Sequence, residues 1–257
     1  MSFPISAGAL HGFGINNAGG DADHDIVVSA GFAKTVGEIA LSRGTTLTKQ
    51  IDAVWAAGDA AGGLPAAVTL SADTWYHVFV IRTATGAVDA GFDTSPTAAN
   101  LVAAAGGGTT AYRRIGSVLT DSSANILAFI RAYCTFWWVT QITEVSVTDQ
   151  STAGINRTMR VPPDVRCLGM FTGQNRIVGA ASSLVRLYPT DGADSATASG
   201  LATSGIAVGT ASEFAIFQTQ VLTNTARQIR SIASAADTVL ILSTQGWLDL
   251  DLLGGGR

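Results

Sequence analysis

Charged side chains are scarce in this sequence. Asp, Glu, Lys and Arg make up 13% of its 257 residues, about half the share usual in soluble domains. Lys34 and Lys49 are the only lysines, and the formal net charge is −4. That balance excludes nucleic-acid binding driven by a dense positive field. A hydrophobic share of 47% with so small a net charge equally excludes a disordered chain. Cysteine is nearly absent: Cys134 and Cys167 do not make a disulfide framework, and each reads as a buried structural thiol. Proline is rare, with 6 residues. No basic start followed by an apolar stretch opens the chain at 1–6, so no secretory leader is expected and synthesis in a cytoplasm is. The longest apolar run, Ile126 to Val139, is too short to span a bilayer and is interrupted by Arg131. Membrane insertion is therefore not expected, and the run reads as one or two buried strands.

Motifs of catalysis are missing as well. His11, His24 and His77 have no ligand spacing around them, and His77 sits within a strand between Tyr76 and Val78. There is no G-x-S-x-G turn and no Gly-Lys-Ser/Thr phosphate loop. The histidines and cysteines do not assemble a zinc site. Asn156-Arg157-Thr158 matches a glycosylation acceptor but has no consequence without a secretory route.

What is plentiful is glycine, 29 residues, together with short β-branched and aromatic segments bounded by Gly, Asp, Asn or Ser. Strands are predicted at 25–29, 74–82, 112–119, 126–133, 144–147, 158–161, 165–172, 183–187, 213–218, 227–232 and 238–243. Thr83 to Gly86 supplies a turn, so 75–92 reads as a β-hairpin. Helical periodicity is hard to find, and 103–108 and 192–205 read as surface loops. The expected fold is all-β: two antiparallel, jelly-roll-like β-sandwich domains in tandem. The first covers 1–135 with a short lead-in, and the second covers 136–257 with a flexible tail at 254–257.

Two sets of residues stand out as candidate sites. Asp21, Asp23 and Asp25 place carboxylates at alternate positions and offer hard oxygen ligands to Ca²⁺. The EF-hand pattern fails, because its sixth and twelfth positions are Ile26 and Phe32, and a solvated acidic loop is the competing reading. Trp75, Tyr76, Trp137 and Trp138 are candidates for glycan stacking or for a subunit interface. Adjacent strand residues face opposite ways, so one of each pair is expected in the core. Arg113-Arg114 and Arg227/Arg230 read as structural hydrogen-bonders rather than a phosphate site.

A series of phrases in fixed order carries a resemblance. Leu47-Thr48-Lys49-Gln50-Ile51-Asp52-Ala53-Val54-Trp55 leads to Gly62-Gly63-Leu64, then Asp73-Thr74-Trp75-Tyr76-His77-Val78 and Thr85-Gly86-Ala87-Val88-Asp89. Phe92-Asp93-Thr94-Ser95-Pro96-Thr97-Ala98 and Tyr112-Arg113-Arg114-Ile115-Gly116-Ser117 follow. Ala226-Arg227-Gln228-Ile229-Arg230-Ser231 and Gln245-Gly246-Trp247-Leu248-Asp249 close the series. From about residue 20 to residue 250 the sequence resembles bacteriophage and prophage virion proteins described as tail fibre or tail-associated proteins. The resemblance implies a non-enzymatic structural protein on the outside of a phage particle. Its implied partners are further copies of itself (a homo-oligomer, with a trimer favoured), other virion proteins, and a host surface polysaccharide. It brings no cofactor and no catalytic constellation. The repetitive shaft of a long tail fibre is missing, which leaves a compact tip or short spike, with a head-mounted fibre or decoration protein as the alternative. A glycan-degrading enzyme is the alternative of another class, since paired carboxylates are assembled only in three dimensions.

Overall fold

The computed structural model describes residues 9–35, 37–106, 111–178, 183–192 and 214–253. The start of the expected lead-in, nearly all of the loop expected at 192–205 and the tail at 254–257 lie outside them. The fold is all-β. The chain divides into two compact units, Met1–Phe136 together with Asp249–Arg257, and Trp137–Leu248. The last stretch of sequence thus belongs with the first unit rather than with the half it follows.

The first unit opens with β1 (Leu10–Gly12), β2 (Ile15–Asn17), β3 (Asp25–Val28), β4 (Gly31–Lys34), β5 (Ala40–Arg43), β6 (Leu47–Val54) and β7 (Ala61–Leu64). It continues with β8 (Trp75–Arg82), β9 (Val88–Asp93), helix α1 (Ala99–Ala104), β10 (Tyr112–Leu119) and β11 (Phe129–Ala132). The strands form sheets in the orders β1-β4-β5, β2-β3-β6-β7 and β10-β8-β9. Within these sheets the pairings are antiparallel apart from β6 with β7. The hairpin expected at 75–92 is present as β8 and β9, in register from His77 opposite Asp93 to Arg82 opposite Val88. Thr83 N–H donates to Ala87 O and Gly86 N–H to Thr83 O, closing the turn.

Every residue of β8 except Arg82 is buried, because the strand is central and both its faces are covered. On one face Phe79 and Ile81 pack with Leu101 and Ala105 of the α1 segment. Toward the other, Ile15 of β2 comes so close to β10 that a methyl on Gly116 would lie 2.6 Å from its Cδ1. Gly63 of β7 likewise sits against the Phe92 ring of β9. The Gly62-Gly63 step has a steric cause: a methyl on Gly62 would overlap the carbonyl oxygen of Val54, and backbone cannot swing aside as a side chain can.

The loop expected at 103–108 is corrected at its start, since Ala99–Ala104 form α1. Six residues are too few to display a helical period. The helix is held instead by tertiary groups: Asp93 Oδ2 accepts the Leu101 N–H at 2.8 Å, and Leu101 is fully buried.

Strand β12 (Thr135–Val147) carries the chain into the second unit. That unit contains β13 (Ile155–Thr158), β14 (Cys167–Ile177), β15 (Val185–Pro189), β16 (Phe214–Leu222) and β17 (Gln228–Ala233), and β18 (Thr238–Asp249) leads out of it. β12, β18, β14 and β16 lie side by side in one sheet, and β13, β17 and β15 form the other. Val145, Phe171, Phe217, Leu240 and Leu242 of the first sheet share one core with Val185, Leu187 and Ile229 of the second. Two sheets meeting over a common apolar layer make a β-sandwich. β13 begins before the strand expected at 158–161, and Met159 and Val161 follow it as buried residues without strand geometry.

Candidate functional site

The phrases singled out in the sequence meet as buried polar pairs in the first unit. Lys49 on β6 is fully buried, an expensive position for an ammonium unless it is paired. Its Nζ donates to Ala56 O at 2.7 Å and Gly58 O at 3.3 Å, lies 3.3 Å from Asp89 Oδ1 of β9, and sits over the Trp55 ring. Burial lowers its pKa, and Asp89 pulls it back up. Asp89 Oδ2 in turn accepts the Gly58 N–H. Asp93 gathers Ser95, Asn100 and Leu101 at the start of α1. Arg114 on β10 donates from Nη1 and Nη2 to Asp249 Oδ2, at 2.7 and 2.6 Å. Asp249 is fully buried; burial raises its pKa and the Arg114 guanidinium opposes that rise. Arg113 donates to Asp251 O at 2.9 Å. These pairs tie strands of the first unit together.

His77 Nδ1 lies 2.9 Å from Ser117 Oγ on the neighbouring strand. A serine beside a histidine is the contact a nucleophile and its base make. Here both side chains are fully buried. Burial, with the Arg114 charge adding to it, pushes the imidazole pKa down to about 3. The ring is neutral and a poor proton acceptor at neutral pH, so the pair is suited to packing and not to general-base work. The pairing of Ser117 with His77 carried no signal in the sequence, because the two meet only through the register of β8 and β10.

The candidate residues are dispersed. Asp21 closes a turn, accepting the His24 N–H at 3.2 Å and lying 3.3 Å from His24 Nδ1. Asp25 lies on β3, its pKa raised first by burial and then by Asp21 and Asp52. Among the described residues no three His, Cys, Asp or Glu side chains converge on a point where a metal ion would sit. Trp75 and Tyr76 are both buried, so neither offers a ring face to a ligand. The Tyr76 hydroxyl donates to Thr69 O and accepts the Ser71 N–H. In the second unit Trp138 is buried against Trp247, ring centroids 5.1 Å apart, and donates to Arg160 O. Of the four aromatics only Trp137 has an exposed ring, at 37%. Arg230 donates to Tyr188 Oη and Asn156 Oδ1, a structural role for that arginine. Cys134 and Cys167 are buried thiols not joined in a disulfide.

Two features carried no local sign in the sequence. Glu144 of the second unit accepts from Arg160 N–H and Thr244 Oγ, and burial pushes its pKa up to about 7. In the first unit a cleft of about 690 Å³ opens among His11, Asn16, Ser29, Arg131, Tyr133 and Leu253. Tyr133 is 93% exposed and takes a left-handed backbone conformation, φ 55°, in the turn between β11 and β12. Arg131 Nε donates to Tyr133 O at 2.6 Å and Nη1 to Phe13 O at 3.0 Å, with the guanidinium over the Phe136 ring. The cleft draws on residues far apart in sequence, so no local motif marks it.

No protein-family model matches the chain, and no curated protein matches it. Among solved structures it is similar to the crystal structure of the infectious bursal disease virus VP2 subviral particle, with a TM-score of 0.25 and 12% identity over 100% of this chain and 76% of that one. It is also similar to the structure of infectious bursal disease virus Gx strain, with a TM-score of 0.21 and 13% identity over 96% of this chain and 72% of that one. Overlaps of this size assign neither a fold family nor a function.

Proposed function

We propose that the protein is a non-enzymatic structural subunit of a bacteriophage virion, displayed on the outside of the particle as a compact tail-fibre or spike-type component that contributes to host attachment. One observation supports the reading: several of the phrases by which the sequence resembles such proteins, those of the first half together with Asp249 of the last, interlock in the first unit. Lys49 of one phrase meets Asp89 of another, and Arg114 of a third meets Asp249 of the last. Gly62 and Gly63 sit where no side chain fits. A series constrained by mutual packing is what a shared architecture would retain, whereas a shared active site would retain exposed groups. The low charge fits burial of surface between copies, and a closed cyclic homo-oligomer is the form expected.

Gold-labelled antibody imaged on particles whose genome encodes this chain tests the placement. Label at tail tips or spikes is the expected result; label on the head supports the decoration alternative, and unlabelled particles overturn the reading. Sedimentation tests assembly, and a stable monomer at micromolar concentration would remove the oligomer. Release of reducing ends from host polysaccharide, abolished by a single Asp or Glu substitution, would replace the structural reading with an enzymatic one.

A further inference from the structure

The geometry points to the cleft of the first unit as a binding site for an acidic saccharide, a sugar unit bearing a carboxylate, with Tyr133 as stacking platform and Arg131 as counter-charge. The assignment rests on the reading of the protein as a displayed, attachment-competent virion component, and it moves the glycan contact away from Trp75, Tyr76 and Trp138, which are buried. Tyr133 is the most exposed of the large hydrophobic side chains described, at 93%, and it stands at the rim of the cavity. A ring held out in water has no packing role. Aromatic rings present an apolar face and a polar tip, the combination that sugar rings stack on.

Arg131 is the charged side chain in the lining, which holds no Asp or Glu among the described residues; Asp249 acts on Arg131 from outside the lining. Arg131 is already oriented: its Nε bonds Tyr133 O and its Nη1 bonds Phe13 O, its guanidinium lies over Phe136, and Nη2 is the nitrogen left to meet a ligand. A guanidinium fixed before the ligand arrives loses little entropy on binding and matches a carboxylate geometrically. Burial lowers its pKa only to about 10, so it stays cationic at neutral pH. Asn16 and Ser29 add hydrogen-bonding groups along the wall, although Ser29 Oγ already accepts the Gly14 N–H. A cavity of about 690 Å³ falls within the ordinary range of small-ligand sites and accommodates a short saccharide segment.

Titration calorimetry of the full chain with a short oligogalacturonate, and with a neutral malto-oligosaccharide of the same length, tests the assignment. The expected result is binding of the acidic oligosaccharide that weakens as NaCl is raised, with the neutral one bound at least about tenfold more weakly. Tyr133→Ala, which removes a ring that packs on nothing, is expected to weaken the acidic ligand about tenfold or more while leaving thermal stability in place. His11→Ala is a second variant at an exposed position. Equal binding of both oligosaccharides overturns the acidic class; unchanged affinity in Tyr133→Ala overturns the platform; no heat with either ligand overturns the site. Gold label on particles together with no binding retires the cleft alone, whereas binding by a protein absent from particles retires the virion placement and keeps the cleft.

Discussion

Acidification should loosen the first unit through His77. In the folded protein the imidazole is fully buried beside Ser117 and its pKa is held near 3, by burial first and the Arg114 charge second; in the unfolded chain it returns to about 6.5. Between those values the unfolded chain binds a proton that the folded one refuses, so stability is whole above pH 6.5 and falls as the pH falls toward 3. At pH 4.5 the loss is about 3 kcal/mol, and once the pH passes below 3 it reaches about 5 kcal/mol. A loss of that size is a large part of the roughly 5–15 kcal/mol that holds a domain folded. Hydrogen exchange read by mass spectrometry, corrected for intrinsic rates, should show peptides of β8, β9 and β10 losing protection from pH 7 to 4.5. His77→Asn keeps an amide near the Nδ1 position but does not titrate, so its slope over that range should be flatter even if its protection at pH 7 is lower. Parallel slopes in the two proteins, or a His77 pKa near 6 by NMR in the folded state, would refute the reasoning.

Glu144 should give the second unit the opposite response. Its folded pKa of about 7 lies above the unfolded value of 4.5, so stability from this group is greatest below 4.5 and declines by about 3 kcal/mol as the pH rises through 7. Glu144→Gln should flatten that decline in exchange profiles of β12 and β18. Ending the chain at Leu248 removes the partner of the buried Arg114, and Asp249→Asn removes its charge. Either change should cost the first unit about 3–5 kcal/mol, read as lost protection in β10, while the second unit's core peptides keep theirs. Gly62→Ala sets a methyl against the Val54 carbonyl; soluble expression or the melting temperature should fall sharply, whereas Gly58→Ala, with open space around it, should cost less despite its positive φ of 116°. Lys49→Met and Asp89→Asn should each lower the melting temperature of the first unit, because either leaves a buried charge without its counter-charge, and the double variant should cost less than the sum of the two.

How far the strands were legible followed their chemistry. β8 announces itself because it is mostly β-branched or aromatic, β10 carries Tyr112, Ile115 and Val118, and β9 follows from the turn at 83–86 that sends the chain back. β6 does not: Leu47, Lys49 and Ile51 all point inward, and a lysine at an inward position breaks the apolar alternation by which a half-buried strand is recognised. β1, β2, β4, β5 and β7 have three or four residues each, too short for any period to register. α1 was missed for the same reason.

The sequence by itself determined an all-β chain with turn-bounded strands, plentiful glycine and little charge. All of these reside in composition or in spacings of a few residues. Tertiary structure alone decided that Arg114 meets Asp249, 135 positions away, and that Ser117 meets His77. It also buried Trp75, Tyr76 and Trp138, left Tyr133 in water, and opened a cleft between segments near residues 9–16, 29, 131–134 and 252–253. Burial and long-range pairing depend on which sheet covers which face, and a strand's own pattern tells only that its faces differ, not what lies across from them.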